Sequence, residues 1–347
     1  MTSTSVGKHP TALHLTGLPI LQVALDVQRM SAKLAPLLMP LAVAGADGPP
    51  PVTYARLLAY KQGNRGTIRY QVATEGGPTT VLGKLYPQPG QAGRVDTILR
   101  GLSAAFATTP DLGVPQPLGC LPDLAMLVYV PVDGEVLDEV LAGDRAAGPS
   151  AIERSAAWLT ILHRARFELD RRFQPSLELV NLQAWGAIIS QAHPDLAGIV
   201  ARLSDRLQGS GPRLRFRSDT PIHKDFHYKH VLVDGGLRVI DFDEVRLGDP
   251  AYDVAHFCVH LRLLACRTLG DPDGYAGLER AFLVAYTRRG GAVPIDRYAW
   301  FATYTCLKIA KQLCTTRGVR PRPDGDEVRR QVQVMLAQGL AYSDDIP

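Results

Sequence analysis

One stretch of this sequence gathers side chains that could hold a metal and move a proton: Ile222 to Ala255, IHKDFHYKHVLVDGGLRVIDFDEVRLGDPAYDVA. Asp225 precedes a short apolar run, Val231–Val233. An Asp234-Gly235-Gly236 turn follows, then a second run, Arg238–Ile240. Asp241 comes directly after that run, with Asp243 two residues on. Asp-Gly and Gly-Gly pairs between apolar runs are strong hairpin signals. A tight hairpin brings its outer ends together, so Asp225 and Asp241 are expected to converge. Carboxylates so placed repel unless a cation lies between them or one is protonated. A divalent metal ion is the simplest solution, with Asp241 and Asp243 as candidate ligands.

The elements that must position this stretch divide into two kinds. Apolar spacing predicts an early helix over Leu18–Leu38, and a break follows at Gly45–Pro51. Strands are expected at Ala55–Tyr60, Thr67–Thr74 and Thr80–Tyr86, joined by turns holding Gly63 and Gly66, then Gly76 and Gly77. A helix over Val95–Phe106 and strands at Leu118–Cys120 and Ala125–Val130 complete this part. Beyond Pro131 the pattern turns helical: Ala151–Asp170, Leu182–Ala192, Leu196–Leu207, Tyr252–Leu269, Gly277–Arg289, Ile295–Thr316 and Glu327–Leu340. Residues 1–15 are expected to be disordered or weakly ordered. The reading is an α+β chain with a strand-rich part at 1–130 and a helical part at 131–347.

The compound motif resembles the catalytic core of the aminoglycoside phosphotransferase and choline kinase group. That group is written HxDxxxxN followed by IDxxxxxxGDPxxD. Here His223-Lys224-Asp225, Ile240-Asp241 and Gly248-Asp249-Pro250-Ala251-Tyr252-Asp253 keep the spacing throughout. The resemblance implies a protein-kinase-like fold, with a small antiparallel-sheet N-lobe and a mainly helical C-lobe. It implies that Asp225 orients the acceptor hydroxyl and takes its proton, and that Asp241 holds magnesium against phosphate oxygens. His223 would support the catalytic loop, and Asp249 and Asp253 would brace it. The departure is His230, which stands where the family has asparagine as second metal ligand. Imidazole suits manganese or zinc better than magnesium. Three readings stay open for it: ligand to a softer metal, donor to phosphate, or mark of lost activity.

The same resemblance gives the strand-rich part a task. Lys84, inside an apolar strand, matches the lysine that pairs with nucleotide phosphates, and Asp96 is the one acidic residue placed to partner it before Asp111. The Lys61–Gly66 segment, with Gly63 and Gly66, falls where a phosphate-covering turn belongs. Met126, Val128 and Val130 match the lobe hinge that holds the nucleotide base. The cofactors implied are ATP or GTP with Mg2+ or Mn2+, and the partner is a small-molecule hydroxyl acceptor. The blander readings are turn aspartates, a snorkelling edge lysine and an ordinary hairpin turn. His163, on an apolar helix face, reads as structural. Two other functions compete: a nucleotide-binding pseudokinase, and a hydrolase using His223, Asp225, His227, His230 and Asp241 as a metal cluster.

Bulk composition excludes several classes. The net charge of +4 is small and scattered, which argues against nucleic acid. Five cysteines form no CxxC pair and are odd in number, which fits a reducing, cytoplasmic setting rather than a disulfide framework. No apolar run is long enough to span a bilayer, so no membrane partner is expected. From Ile295 to Arg330 eight Lys or Arg face four Asp or Glu. That balance disfavours a polycationic acceptor and favours a neutral or anionic one. Trp300, Phe301 and Tyr304 are candidates for stacking on a sugar ring.

Overall fold

The computed structural model describes residues 19–42, 48–61, 65–143, 147–315 and 325–347, so the expectations for residues 1–15 and for Gly63 lie outside the described residues. Through residue 131 the order is α1 (Pro19–Leu25), α2 (Val27–Leu38), β1 (Val52–Lys61), β2 (Arg65–Thr74), β3 (Gly77–Leu85), α3 (Gln91–Phe106), β4 (Leu112–Gly113), β5 (Gln116–Leu121) and β6 (Met126–Val130). The expected single early helix is two, because Asp26 turns out of helical geometry and its carboxylate accepts from the Arg29 N–H at 3.0 Å.

Two compact units result: residues 1–97 with 116–131, and 98–115 with 132–347. The second unit thus takes most of α3 and all of β4, where one cut near residue 130 was expected. The reason is pairing. β4 lies parallel to a strand near residue 237, and Phe106 stacks on Trp158 at 5.2 Å.

The first unit is an antiparallel five-stranded sheet, β1-β2-β3-β6-β5. In β2, Ile68, Tyr70 and Val72 alternate inward, the two-residue period of a half-buried strand. Met30, Leu34 and Leu38 form the buried stripe of α2 against them. The Tyr70 hydroxyl donates to the Ala24 carbonyl at 2.7 Å and ties sheet to helix. Gly83 is required by close approach: a Cβ there would meet Met126 Sδ at 2.7 Å and the Tyr70 ring at 2.9 Å.

The second unit continues with β7 (Glu135–Val136), α4 (Leu137–Gly143), α5 (Ala147–Arg164), α6 (Pro175–Ala192), α7 (Ala197–Ser210), β8 (Thr220–Ile222), β9 (Val231–Val233), β10 (Leu237–Val239), β11 (Arg246–Gly248), α8 (Ala251–Leu269), α9 (Ala276–Arg288), α10 (Ile295–Thr315) and α11 (Gly325–Ser343). The β9–β10 hairpin is registered Val231 to Val239 and Val233 to Leu237, one residue earlier on its second strand than expected. α5 stops at Arg164 rather than Asp170. α6 starts seven residues early, with Pro175 at its first position, where a missing N–H costs nothing.

Trp158 is the pin of this unit. It is fully buried, stacks between Phe106 and Phe226, and donates its indole N–H to the Gly113 carbonyl at 2.9 Å. Trp158→Ala should therefore cost about 3–5 kcal/mol of stability, read as a lowered urea midpoint. An unchanged midpoint would show that this stack does not hold the unit together.

Candidate active site

The site is built around a carboxylate that never meets solvent. Asp253, in the first turn of α8, is 0% exposed. Its Oδ2 accepts the main-chain N–H of His223 at 2.7 Å and its Oδ1 that of Lys224 at 2.8 Å. His163 Nε2 lies 3.1 Å from the same Oδ2 and donates to it, leaving Nδ1 to accept from the Tyr286 hydroxyl at 2.7 Å. Burial pushes the Asp253 carboxyl up, but the bond from His163 and the neighbouring histidines outweigh it and hold it below the usual range. The paired N–H bonds keep Lys224 in the left-handed region at φ 69°. Such backbone is uncommon outside glycine and concentrates at functional loops.

His223 lies wholly buried beneath the loop. Its Nε2 donates to the Ile240 carbonyl at 3.2 Å, which links the loop to the end of β10. Burial lowers its pKa, so the ring is neutral. Asp249 serves as a second brace: its carboxylate accepts from Arg217 N at 2.9 Å, Ala251 N at 3.0 Å and Arg297 Nη1 at 2.8 Å.

Asp225 projects from this held loop, with 35% of its side chain exposed. Four potential donors ring its carboxylate: His256 Nε2 at 3.5 Å, His230 Nδ1 at 3.7 Å, His227 Nε2 at 3.8 Å and Lys308 Nζ at 3.9 Å. Burial works to raise its pKa. His256, Lys308 and His227 overcome that and hold the group far below the usual carboxylate range. Asp225 is thus ionised and ringed at distances that leave room for a further donor.

His230 settles its own tautomer. Its Nδ1 lies 2.8 Å from the Asp225 main-chain carbonyl, an acceptor, so Nδ1 carries the proton. The opposite nitrogen, Nε2, carries the lone pair of the neutral ring, and it faces Asp241 Oδ2 at 3.8 Å. Asp241 itself sits at φ 66°, so two of the three non-glycine left-handed residues among those described are Lys224 and Asp241. Two electron-pair donors facing each other fit a shared cation, and Asp241 Oδ2 with His230 Nε2 is the donor set that could hold one.

Asp225, His227 and His230 also offer ligand atoms within 4.8 Å of one another. Tautomers speak against that trio as a metal cage. His227 Nδ1 accepts from Lys229 N at 3.2 Å, which places the proton on the nitrogen facing Asp225, while the His230 nitrogen nearest Asp225 is protonated as well. Asp243 is buried at 2% exposure, and Arg171 donates to its carbonyl at 3.3 Å.

Several features escaped the sequence. His256 and His260, four apart on α8, close the ring around Asp225 and His227; His260 stacks on His227 at 4.6 Å. That spacing one turn past Asp253 was a readable signal. Glu178 was not signalled at all: it binds Lys224 Nζ at 3.1 Å and accepts from the Tyr304 hydroxyl at 2.5 Å. Burial pushes the Lys224 amine down to about 8. Trp300, Phe301 and Tyr304 are buried and pack on one another, so their rings belong to the core and not to a sugar-stacking surface.

In the first unit, Lys84 lies on β3 opposite Leu127 and Thr67, with Nζ 5.5 Å from the Tyr86 ring centre. Asp96 lies half-buried on α3. Gly66 is a buried residue of β2, paired with Tyr60 and Leu85, and not a turn residue. Met126 and Val128 are flanked by β3 and β5, so their main-chain groups serve the sheet; Val130 pairs with β5 alone.

A strand-rich unit followed by a helical one, with this braced aspartate loop, is the architecture of a kinase-like phosphotransferase. The sequence pattern of the phosphotransferase enzyme family, APH, matches residues 59–294, and the chain belongs to that family. Among solved structures it is similar to the choline kinase LicA from Streptococcus pneumoniae, at 14% identity and TM-score 0.54, covering 84% of this chain and 94% of that one. An amicoumacin kinase solved with AMP-PNP, Ca2+ and Ami shares 16% identity at TM-score 0.56, covering 84% and 89%. A choline/ethanolamine kinase family protein from Mesorhizobium loti shares 16% at TM-score 0.53, covering 86% and 89%. At such identities the likeness shows the fold. No curated protein matches the sequence. Among the described residues no helix is long and apolar enough to cross a membrane.

The buried histidines set a pH dependence. Burial first, then the Lys308 charge, pushes the His256 pKa down to about 4 from 6.5. The unfolded chain therefore binds this proton more readily than the folded one. The contribution is fully present above the unfolded value and is lost as pH falls from there toward about 4, by about 1.4 kcal/mol per pH unit at the steepest. Urea unfolding at about pH 7 and about pH 5 should show this loss, and His256→Asn should flatten it. Equal slopes in both proteins would contradict the assignment.

Proposed function

We propose that this chain is a small-molecule kinase that moves the terminal phosphate of ATP or GTP onto a hydroxyl of a neutral or anionic metabolite or antibiotic. The observation that carries the reading is the placing of Asp225 and Asp241 against opposite nitrogens of one imidazole, His230, at 3.7 and 3.8 Å. Asp225, ionised and ringed by donors, accepts the hydrogen bond of the acceptor hydroxyl and takes its proton as the phosphate is transferred. Phosphoryl transfer has a loose transition state, so this group acts mainly by orienting the nucleophile.

Asp241 and His230 Nε2 would hold the divalent cation. Bound there, Mg2+ or Mn2+ supplies positive charge against the phosphate oxygens. A nitrogen ligand in place of an oxygen donor tilts the preference toward Mn2+. The amicoumacin kinase solved with AMP-PNP and Ca2+ supports nucleotide and divalent metal use in this fold. Lys84 is proposed to contact nucleotide phosphates, with Asp96 as its acidic partner, and the main chain beyond Val130 to meet the base. Lys308 argues about the acceptor. An ammonium 3.9 Å from the base and 3.3 Å from the Tyr252 hydroxyl repels a polycation and attracts an acceptor carrying carboxylate or phosphate.

Asp225→Asn tests the base. It should lower kcat by about 10²–10⁴ while ADP affinity, read by calorimetry, stays within about twofold. Full turnover in that variant would remove Asp225 from the role, and loss of ADP binding would show a structural rather than chemical part.

A further inference from the structure

Between α5, α9 and the start of α10 the second unit has a cavity of about 220 Å³ that the phosphate-transfer reading does not use. Its lining holds four arginines, Arg164, Arg166, Arg217 and Arg297, together with Thr160 and His163, and no aspartate or glutamate. Two of the arginines are matched by acids outside the lining: Arg217 meets Asp219 at 3.1 Å, and Arg297 meets Asp249 at 2.8 Å. The other two have no carboxylate partner among the described residues. Arg164 donates to the Arg289 carbonyl, and Arg166 to the Ala165 carbonyl at 3.3 Å. A guanidinium held on a main-chain carbonyl is positioned and keeps its charge.

The wall opposite is shaped for this. The chain leaves α9 through Arg289-Gly290-Gly291, and Gly290 sits at φ 78°. A Cβ at Gly290 would lie 2.6 Å from Arg164 Nη2, so a larger residue would drive that guanidinium out of its place. A concave site lined by one sign of charge concentrates counter-ions. Guanidinium forks match the oxygens of phosphate in pairs. The volume is below the range of drug-sized and cofactor pockets, which limits the ligand to a small oxyanion or to a phosphate group with a short appendage.

We propose that this cavity is a binding site for a phosphate-class anion, separate from the site that would transfer phosphate. Two of its lining side chains are bonded to the carboxylates that brace the catalytic loop. His163, in the lining, donates to Asp253, which holds the main chain of His223 and Lys224. Arg297, also in the lining, donates to Asp249. An anion bound here therefore touches the partners of both aspartates that brace the loop.

Inorganic phosphate is the probe. Its affinity is measured by titration calorimetry at constant ionic strength, on the parent and on Arg164→Ala/Arg166→Ala. Both positions are exposed, so the fold tolerates the change; unchanged melting temperature and ADP affinity verify it. The parent should bind phosphate, and the double variant should bind it at least about tenfold more weakly, since two charge-assisted contacts are gone. The single charge reversal Arg166→Glu should act in the same direction. Equal affinity in parent and double variant would place the anion elsewhere and overturn the proposal. So would a parent that neither releases heat nor gains thermal stability at about 50 mM phosphate.

Discussion

One buried carboxylate carries the arrangement. Asp253 accepts two consecutive main-chain N–H groups, from His223 and Lys224, at 2.7 and 2.8 Å, with no solvent in contact. A buried anion without partners is strongly unfavourable, and one with three well-placed donors is rigid. That rigidity keeps Lys224 in left-handed backbone, and the turn it makes aims Asp225 outward. Every later feature of the site, from the histidine ring around Asp225 to the facing of Asp241, presupposes that loop shape.

The second constraint is a proton on one nitrogen. His230 gives its Nδ1 hydrogen to the Asp225 carbonyl, so in the neutral ring its Nε2 is the nitrogen that accepts or ligates. Had the ring faced the other way, a protonated nitrogen would point at Asp241 and donate a charge-assisted hydrogen bond to its carboxylate. The loop thus orients the ring through a main-chain contact, the outer-contact logic by which ligating histidines are oriented in general. It also explains how an imidazole can stand in the asparagine position with both key aspartates still converging on it.

Much of this was legible from residue types. The Asp-Gly-Gly turn announced the hairpin, and Asp225 and Asp241 flank one ring, that of His230, which the spacing alone did not place between them. The alternation in Thr67–Thr74 and the helical stripes of the second unit were equally plain. What stayed hidden depended on long-range contact. Glu178 meets Lys224 across 46 residues of chain, and nothing local to either marks the pair. β4, β7, β8 and β11 are two or three residues each, too short for any period to show. The placement of Ile98–Pro115 with the second unit follows from Phe106 and β4 finding Trp158 and β10. Gly66 misled because glycine in a strand reads like glycine in a turn.

The claim that ties these parts together is that His230 Nε2 and Asp241 share one cation. Pulsed electron paramagnetic resonance on the Mn2+-loaded protein with ADP tests it most directly. The account predicts hyperfine coupling to one imidazole nitrogen, present in the parent and absent in His230→Asn while Mn2+ stays bound. A parent spectrum without nitrogen coupling, from Mn2+ that supports phosphate transfer, would contradict it.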